Sequence, residues 1–154
     1  MCISCGGLDN RFVLGRQGIP GFGIDVQIEL RAKADALFKS EDYLEAAPLY
    51  SQLLSLDPND TLLDYYYGVC QVSTPRLREG AIPFLEFARK SKKVPSDVCF
   101  HLGRAQMAAG KFTAAISSFY SYLESGNVDH DKRIAAKRFV ANCENGELLL
   151  KDRK

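Results

Sequence analysis

The sequence lacks an excess of charge of either sign. Twenty lysine and arginine residues stand against nineteen aspartate and glutamate residues, which leaves a formal net charge of +1. Proteins that bind nucleic acids or anionic membrane surfaces depend on a strong basic field. We therefore expect neither nucleic acid nor a membrane surface among the partners of this chain.

Long apolar runs are also missing. No run approaches the roughly 20 residues that a membrane-spanning helix needs, and the N-terminus lacks the basic-then-apolar pattern of a secretion signal. These absences predict a cytoplasmic chain without direct membrane insertion. The composition, with 46% hydrophobic and 25% charged residues over 154 positions, suits a single globular unit with a real core.

Paired metal-ligating residues are scarce. Cys2 and Cys5 form a C-x-x-C motif, which could be half of a zinc site or a redox pair, but no second pair follows. Neither His101 nor His130 has a neighbour at ligand spacing. We predict no metal site and no cofactor.

The other three of the five cysteines lie inside helical patterns, which is typical of buried thiols in a reducing compartment; they are Cys70, Cys99 and Cys143. Residues 1–24 differ from the rest, because they hold six of the twelve glycines and show no helical or strand period. We predict a flexible N-terminal tail there, a helical domain over residues 25–146 and a charged tail over residues 147–154.

Small residues recur within the helical region at spacings of 34 and 35 residues. One series falls in the first helix of each predicted hairpin and the other in the second helix. Each member of the second series is followed four positions later by a large apolar residue. The series are Ala34, Gly68 and Gly103; Ala46, Ala81 and Ala115; and Tyr50, Leu85 and Phe119. Such pairs allow two helices to approach closely, so the pattern predicts three helical hairpins in one frame.

This frame resembles the tetratricopeptide repeat family over residues 27–127. The resemblance implies an all-α solenoid of three helical hairpins plus a C-terminal capping helix, seven helices in total. It also implies a non-enzymatic module that binds a peptide segment or a protein surface in its concave groove. The oligomeric state does not follow from the pattern.

Several boundaries can be predicted from turn chemistry. Asp42 is placed to cap the second helix, and Thr74 with Pro75 to begin a helix over residues 76–92. Pro48 and Pro83 share one frame position inside second helices, so both are expected on the outer face, where a bend helps the array to curve.

The seventh predicted helix is amphipathic. Asp129 can cap it, Phe139 and Val140 lie on its apolar side, Lys132 is expected to face water, and Gly146 is expected to end it. Residues 136–149 also resemble the segment that closes the N-terminal repeat domain of some Gram-negative envelope proteins with a β-propeller and an OmpA-like domain. That resemblance implies an alternative role as a structural domain of a cell-envelope assembly, with a periplasmic location if the chain is a fragment.

The first helices of the repeats are expected to offer the groove. By the repeat frame its residues are Arg31, Asp35, Lys39, Tyr65, Tyr66, Val69, Asp97, Phe100, His101, Arg104 and Met107. We predict Tyr65 and Phe100 as aromatic anchors and Arg104 as a charged hydrogen-bond donor, because such residues dominate many interfaces. His101 is expected to be a polar groove residue, since neither histidine has a carboxylate or cysteine at a spacing typical of catalysis.

Tetratricopeptide co-chaperones that grip a C-terminal carboxylate use lysine, asparagine and arginine at set positions. Among the matching positions here only Arg31 fits, while Tyr66 and His101 differ in type. Asp35 and Asp97 would repel a carboxylate. The sequence therefore disfavours a terminal carboxylate and favours an internal segment or a folded surface as the ligand.

Overall fold

A computed structural model describes residues 22–126 and 128–151 of the chain. This part contains no strand and seven α-helices, with one short 3₁₀ turn at Arg78–Ala81. The helices are Phe22–Lys39 (α1), Tyr43–Leu56 (α2), Thr61–Ser73 (α3), Ile82–Ala88 (α4), Val98–Ala108 (α5), Phe112–Leu123 (α6) and His130–Lys151 (α7). The predicted all-α solenoid with seven helices is confirmed.

Helices that follow one another in the chain pack against one another, which gives three hairpins and a terminal helix. The pairs are α1 with α2, α3 with α4 and α5 with α6, and α7 packs on α6. The buried residues form three apolar clusters, one for each hairpin, and α7 contributes to the last of them. Each cluster also includes side chains from the helix that follows its hairpin in the chain. The hairpins therefore form one continuous array.

The small residues of the repeat frame lie where the helices cross. A Cβ atom built on Gly68 would stand 2.7 Å from the Leu85 side chain, and one built on Gly103 would stand 2.7 Å from the Phe119 ring. Both large partners are completely buried, as is Ala115. The predicted close approach of first and second helices is therefore confirmed.

The second hairpin departs from the predicted boundaries. Its second α-helix begins at Ile82 rather than at residue 76, because the chain first makes the 3₁₀ turn. Thr74 does not start that helix; its hydroxyl donates to the carbonyl of Cys70 at 3.1 Å and closes the end of α3. Pro83 stands in the first turn of α4, where its missing N–H removes no helical hydrogen bond, so the predicted kink is wrong there. Pro48 does lie inside α2, and both prolines are exposed as expected.

The observed helix ends agree with the sequence-based prediction at one site and differ from it at two. Asp129 caps α7 as predicted, since its carboxylate accepts from the Lys132 backbone N–H at 3.0 Å. Asp42 precedes α2 but its side chain makes no capping hydrogen bond. Gly146 does not end α7, because the helix continues to Lys151. It is instead a contact glycine, whose added Cβ would stand 2.8 Å from the Phe112 ring.

The described cysteines are free thiols, as predicted. Cys70 and Cys143 are buried and Cys99 is partly buried. Burial raises the pKa of Cys70 to about 12, so this thiol stays protonated and unreactive at neutral pH. The Cys2–Cys5 motif and nearly all of the predicted N-terminal tail lie outside the described residues, and the division into tail, domain and tail stays a prediction. Within the described residues, no helix combines the length and apolar character needed to cross a membrane.

The contact at Gly103 generates a stability prediction. We expect Gly103→Ala to lower the free energy of unfolding by about 1–3 kcal/mol, because the buried Phe119 ring cannot move aside. Gly23→Ala in α1 is the matched control, since its added Cβ meets nothing within 4 Å. Urea unfolding followed by circular dichroism measures both, and equal stability of the two variants would contradict the helix crossing.

The position of α7 generates a second prediction. Val140 is 6% exposed against the third hairpin, whereas Ile134 on the same helix is 57% exposed. We expect Val140→Asp to lower the melting temperature strongly and to cause aggregation, because it places a carboxylate in the apolar cluster beneath the capping helix. Ile134→Asp should melt close to the wild type. If both variants melted alike, α7 would not be the cap of this array.

Candidate functional site

A cavity of about 540 Å³ opens on the face built from the first helices of the hairpins. Side chains from α1, α3, α5 and α7, from the turn after α1 and from the first residue of α2 surround it. They are Phe38, Glu41, Tyr43, Tyr65, Val69, Ser73, Asp97, Phe100, His101, Arg104 and Lys132. Because first helices alternate with second helices along the chain, the array brings residues from four separate segments to one surface.

The base of the cavity consists of buried rings. Tyr65 is 5% exposed, Phe100 is 6% exposed and His101 is 7% exposed. Phe100 lies against Phe119 with ring centroids 6.0 Å apart, within the third core cluster. Both rings line the cavity and also fill the interior between neighbouring helices, and whether Tyr65 and Phe100 anchor a partner stays a prediction.

The carboxylate of Asp97, at the start of α5, joins three helices. The Tyr65 hydroxyl on α3 donates to Oδ1 at 2.7 Å, and the Lys132 ammonium on α7 donates to Oδ2. His101 Nε2, one turn further along α5, lies 3.7 Å from Oδ2. This arrangement, called here the Asp97 network, ties the capping helix to the cavity.

The network sets the protonation of its members. Burial alone would raise the pKa of Asp97, but interactions with His101, Lys132 and Tyr65 outweigh burial and hold that pKa well below its usual range. The pKa of Tyr65 is raised by burial and by the neighbouring Asp97 charge. Near neutral pH Asp97 is therefore a carboxylate and Tyr65 a neutral phenol.

His101 is held in its neutral form. Burial lowers its pKa and outweighs the opposing effect of Asp97. Its Nδ1 is buried without a hydrogen-bond partner in the described chain. A neutral imidazole beneath the surface supports the interpretation of His101 as a polar residue of the groove wall.

The rim of the cavity carries polar side chains that solvent can reach. Tyr43, Ser73 and Arg104 are half-buried, and Glu41 is exposed in the turn between α1 and α2. Glu41 has a φ of 63°, which the tight turn imposes. The rim thus offers a phenol, a hydroxyl, a guanidinium and a carboxylate above an aromatic base.

Six of the eleven predicted groove residues line this cavity: Tyr65, Val69, Asp97, Phe100, His101 and Arg104. Arg31 and Asp35 line a separate depression of about 450 Å³ between α1, α2 and α3. They pair with each other at 3.2 Å, and the Tyr50 hydroxyl donates to Asp35 at 2.7 Å.

The remaining three predicted groove residues lie elsewhere. Lys39 is exposed at the end of α1. Tyr66 is half-buried and stacks on Tyr50 with centroids 5.3 Å apart. Met107 packs on the apolar cluster beneath α7. Whether any of these residues contacts a partner stays a prediction.

The structure adds five cavity residues that the sequence reasoning missed. Phe38, Glu41 and Tyr43 surround the turn inside the first hairpin, and Ser73 ends α3. Lys132 was expected to face water but donates to Asp97 across a gap of 35 residues. The repeat frame marks only the faces of first helices, so it carries no signal for turns or for the capping helix.

The comparisons with known proteins agree with this architecture. Residues 31–97, which cover the first two hairpins and the approach to α5, match the family model described as tetratricopeptide repeat. No curated protein sequence matches the chain.

Several solved structures share the fold. The Sgt2 TPR domain from Aspergillus fumigatus has a TM-score of 0.62 and 20% identity, covering 83% of this chain and 82% of that chain. PcrH in complex with the chaperone binding region of PopD has a TM-score of 0.62 and 21% identity, covering 85% and 98%. The Yersinia enterocolitica type III secretion chaperone SycD in complex with a peptide of the translocator YopD has a TM-score of 0.60 and 18% identity, covering 80% and 94%. At these identities the similarity shows the fold alone.

The Asp97 network generates a pH prediction. Because folding lowers the pKa of Asp97, its contribution to stability is present above the unfolded pKa of about 4 and is lost as the pH falls below it. We expect Asp97→Asn to be less stable than the wild type at pH 7 and the difference to narrow toward pH 3. Asp131→Asn, at an exposed position in the first turn of α7, is the control. A difference that stayed constant between pH 7 and pH 3 in urea unfolding would contradict the network.

Proposed function

We propose that this chain is a non-enzymatic interaction module that binds an extended segment of a partner protein in the cavity between α1, α3, α5 and α7. The observation that carries the proposal is a cavity of about 540 Å³ with a rigid aromatic base and a polar rim. A preformed site of this kind spares the ligand much of the ordering cost of binding.

The Asp97 network supports the proposal because it holds the base of the cavity in place before any ligand arrives. Tyr65, Asp97 and Lys132 come from three different helices, so their hydrogen bonds limit how far these helices can move apart. Two solved structures with the same fold are complexes with a peptide or a chaperone binding region. For this chain we propose the corresponding class of partner, a protein segment.

The proposal that the module is non-enzymatic rests on the burial and hydrogen bonding of the side chains that could act in catalysis. His101 is buried and faces Asp97, which is itself engaged by Lys132 and Tyr65. Cys70 is a buried thiol with a raised pKa. The hydrogen bonds of Asp97 thus hold helices together, and the buried His101 and Cys70 side chains contribute to the interior of the array.

A second role, as a positioning domain of a cell-envelope assembly, is favoured by one observation. The sequence run over residues 136–149, which resembles a segment of such proteins, lies within α7, the helix that closes the array. We propose a cytoplasmic location for the binding module and a periplasmic one for the positioning domain. Fractionation of cells that carry the native gene, followed by immunoblotting, separates the two roles.

The binding proposal predicts that filling the cavity abolishes binding. A random peptide library displayed on phage is selected against the immobilised wild-type chain, and the selected peptides are titrated calorimetrically. We expect Ser73→Trp, which places an indole on the rim, to weaken binding by about tenfold or more, equivalent to about 1.4 kcal/mol. Ser117→Trp, at an exposed position of α6, should bind like the wild type.

Circular dichroism and the melting temperature establish that both tryptophan variants are folded. Two results would overturn the proposal: the failure of the wild-type chain to select any peptide, or equal affinity of the selected peptides for Ser73→Trp and Ser117→Trp.

A further inference from the structure

Arg104 brings to the cavity a positive charge that no residue in the described part of the chain neutralises. Its side chain is half-buried on α5, and it takes part in none of the ion pairs formed by the described residues. Lys132, the other cation on the cavity, donates to Asp97. A guanidinium carries five N–H donors. When it is half-buried it loses part of its hydration, and without an acceptor in the protein it can donate these hydrogen bonds to a ligand anion.

A second guanidinium adds to this charge. Burial and the positive charge of Arg78 both lower the pKa of Arg104, whereas the Tyr43 phenol raises it. Arg78 donates Nε–H to the carbonyl of Val72 at 3.0 Å and belongs to no ion pair in the described part of the chain. Like charges repel, so a carboxylate bound at Arg104 would also offset the unfavourable effect of the Arg78 charge.

The acidic residues of the predicted groove do not cancel this charge. Asp97 is occupied by Lys132 and Tyr65, and Asp35 lies in the other depression with Arg31. The sequence disfavoured a carboxylate ligand because of these two aspartates, but each has its own counter-charge. Glu41 remains on the cavity, in the turn after α1, and forms no ion pair with Arg104.

We propose that the segment bound in this cavity is acidic and that it places the side-chain carboxylate of an Asp or Glu residue against the guanidinium of Arg104. Charge-assisted hydrogen bonds of this kind are the strongest that a half-buried guanidinium can form. The inference rests on the proposed function, because it names the chemistry of the partner segment. The position also differs from Arg31, which the sequence matched to terminal-carboxylate binding.

The test uses the same phage library, fused to the coat protein through the peptide C-terminus so that only side-chain carboxylates are offered. We expect peptides selected on the wild-type chain to be enriched in Asp and Glu over the starting library. Selection on Arg104→Glu should reverse the preference toward Lys and Arg. Arg89→Gln, at an exposed position after α4, should select the same acidic peptides as the wild type.

A double-mutant cycle then locates the contact. In a selected acidic peptide, Glu→Gln should weaken binding to the wild type and to Arg89→Gln by about tenfold, as expected for a charged hydrogen bond. The same peptide change should have little effect on binding to Arg104→Gln, because the guanidinium partner is already gone. The peptide substitution leaves the protein untouched, so this result does not depend on the stability of a protein variant.

The outcomes separate the two proposals. Peptides that bind in the cavity without enrichment in Asp or Glu would overturn the acidic-segment proposal and leave the binding proposal standing. An equal effect of the peptide Glu→Gln change on the wild type and on Arg104→Gln would overturn it as well. Failure of the wild-type chain to select any peptide would overturn both.

Discussion

The structure depends on the close approach of the two helices in each hairpin. Gly68 and Gly103 stand directly against Leu85 and Phe119, at distances where an added Cβ atom would force its neighbours to shift. This contact sets the separation of the helices and buries the large partner completely. The same contact recurs at a spacing of 35 residues, and the first helices of the second and third hairpins, α3 and α5, pack against each other. The cavity is a consequence of that stacking.

A buried carboxylate then influences the charge of the cavity. Asp97 would make this surface acidic if it were exposed, but its two oxygens accept from Tyr65 and Lys132. Its charge is used to hold three helices together, whereas Arg104 forms no ion pair with any residue that the structure describes. The aspartates at the groove positions therefore do not by themselves make the cavity acidic.

The capping helix has two effects in this arrangement. Ala136, Val140 and Cys143 cover the apolar side of the third hairpin, which would otherwise be open at the end of the array. Lys132, near the start of the same helix, reaches the cavity and neutralises Asp97. Loss of α7 would thus expose apolar surface and also change the charge of the groove. The stability of the array and the charge of the groove are therefore coupled through this one helix.

The sequence by itself determined the helical repeat. Two series of small residues recur along the chain, and a large apolar residue follows each member of the second series by four positions. Their spacing of 34 and 35 residues predicts a repeated helical hairpin. The free buried thiols and the Asp129 cap follow from equally local patterns. Gly146 shows the limit of such reasoning, because a glycine near a helix end has the same local appearance whether it ends the helix or lies against a ring. The Phe112 ring that requires it comes from α6, 34 residues earlier.

Only the tertiary structure decided the candidate site. Tyr65 and Phe100 are on the groove side of their helices as predicted, yet neighbouring helices bury both rings. Arg31 and Asp35 occupy groove positions in the repeat frame, but they belong to another depression. The repeat frame specifies only the direction in which a side chain leaves its own helix, because that direction depends on sequence position alone. Burial, ion pairing and the contribution of Lys132 depend on distances between helices that are far apart in the chain, and these distances exist only once the array has stacked.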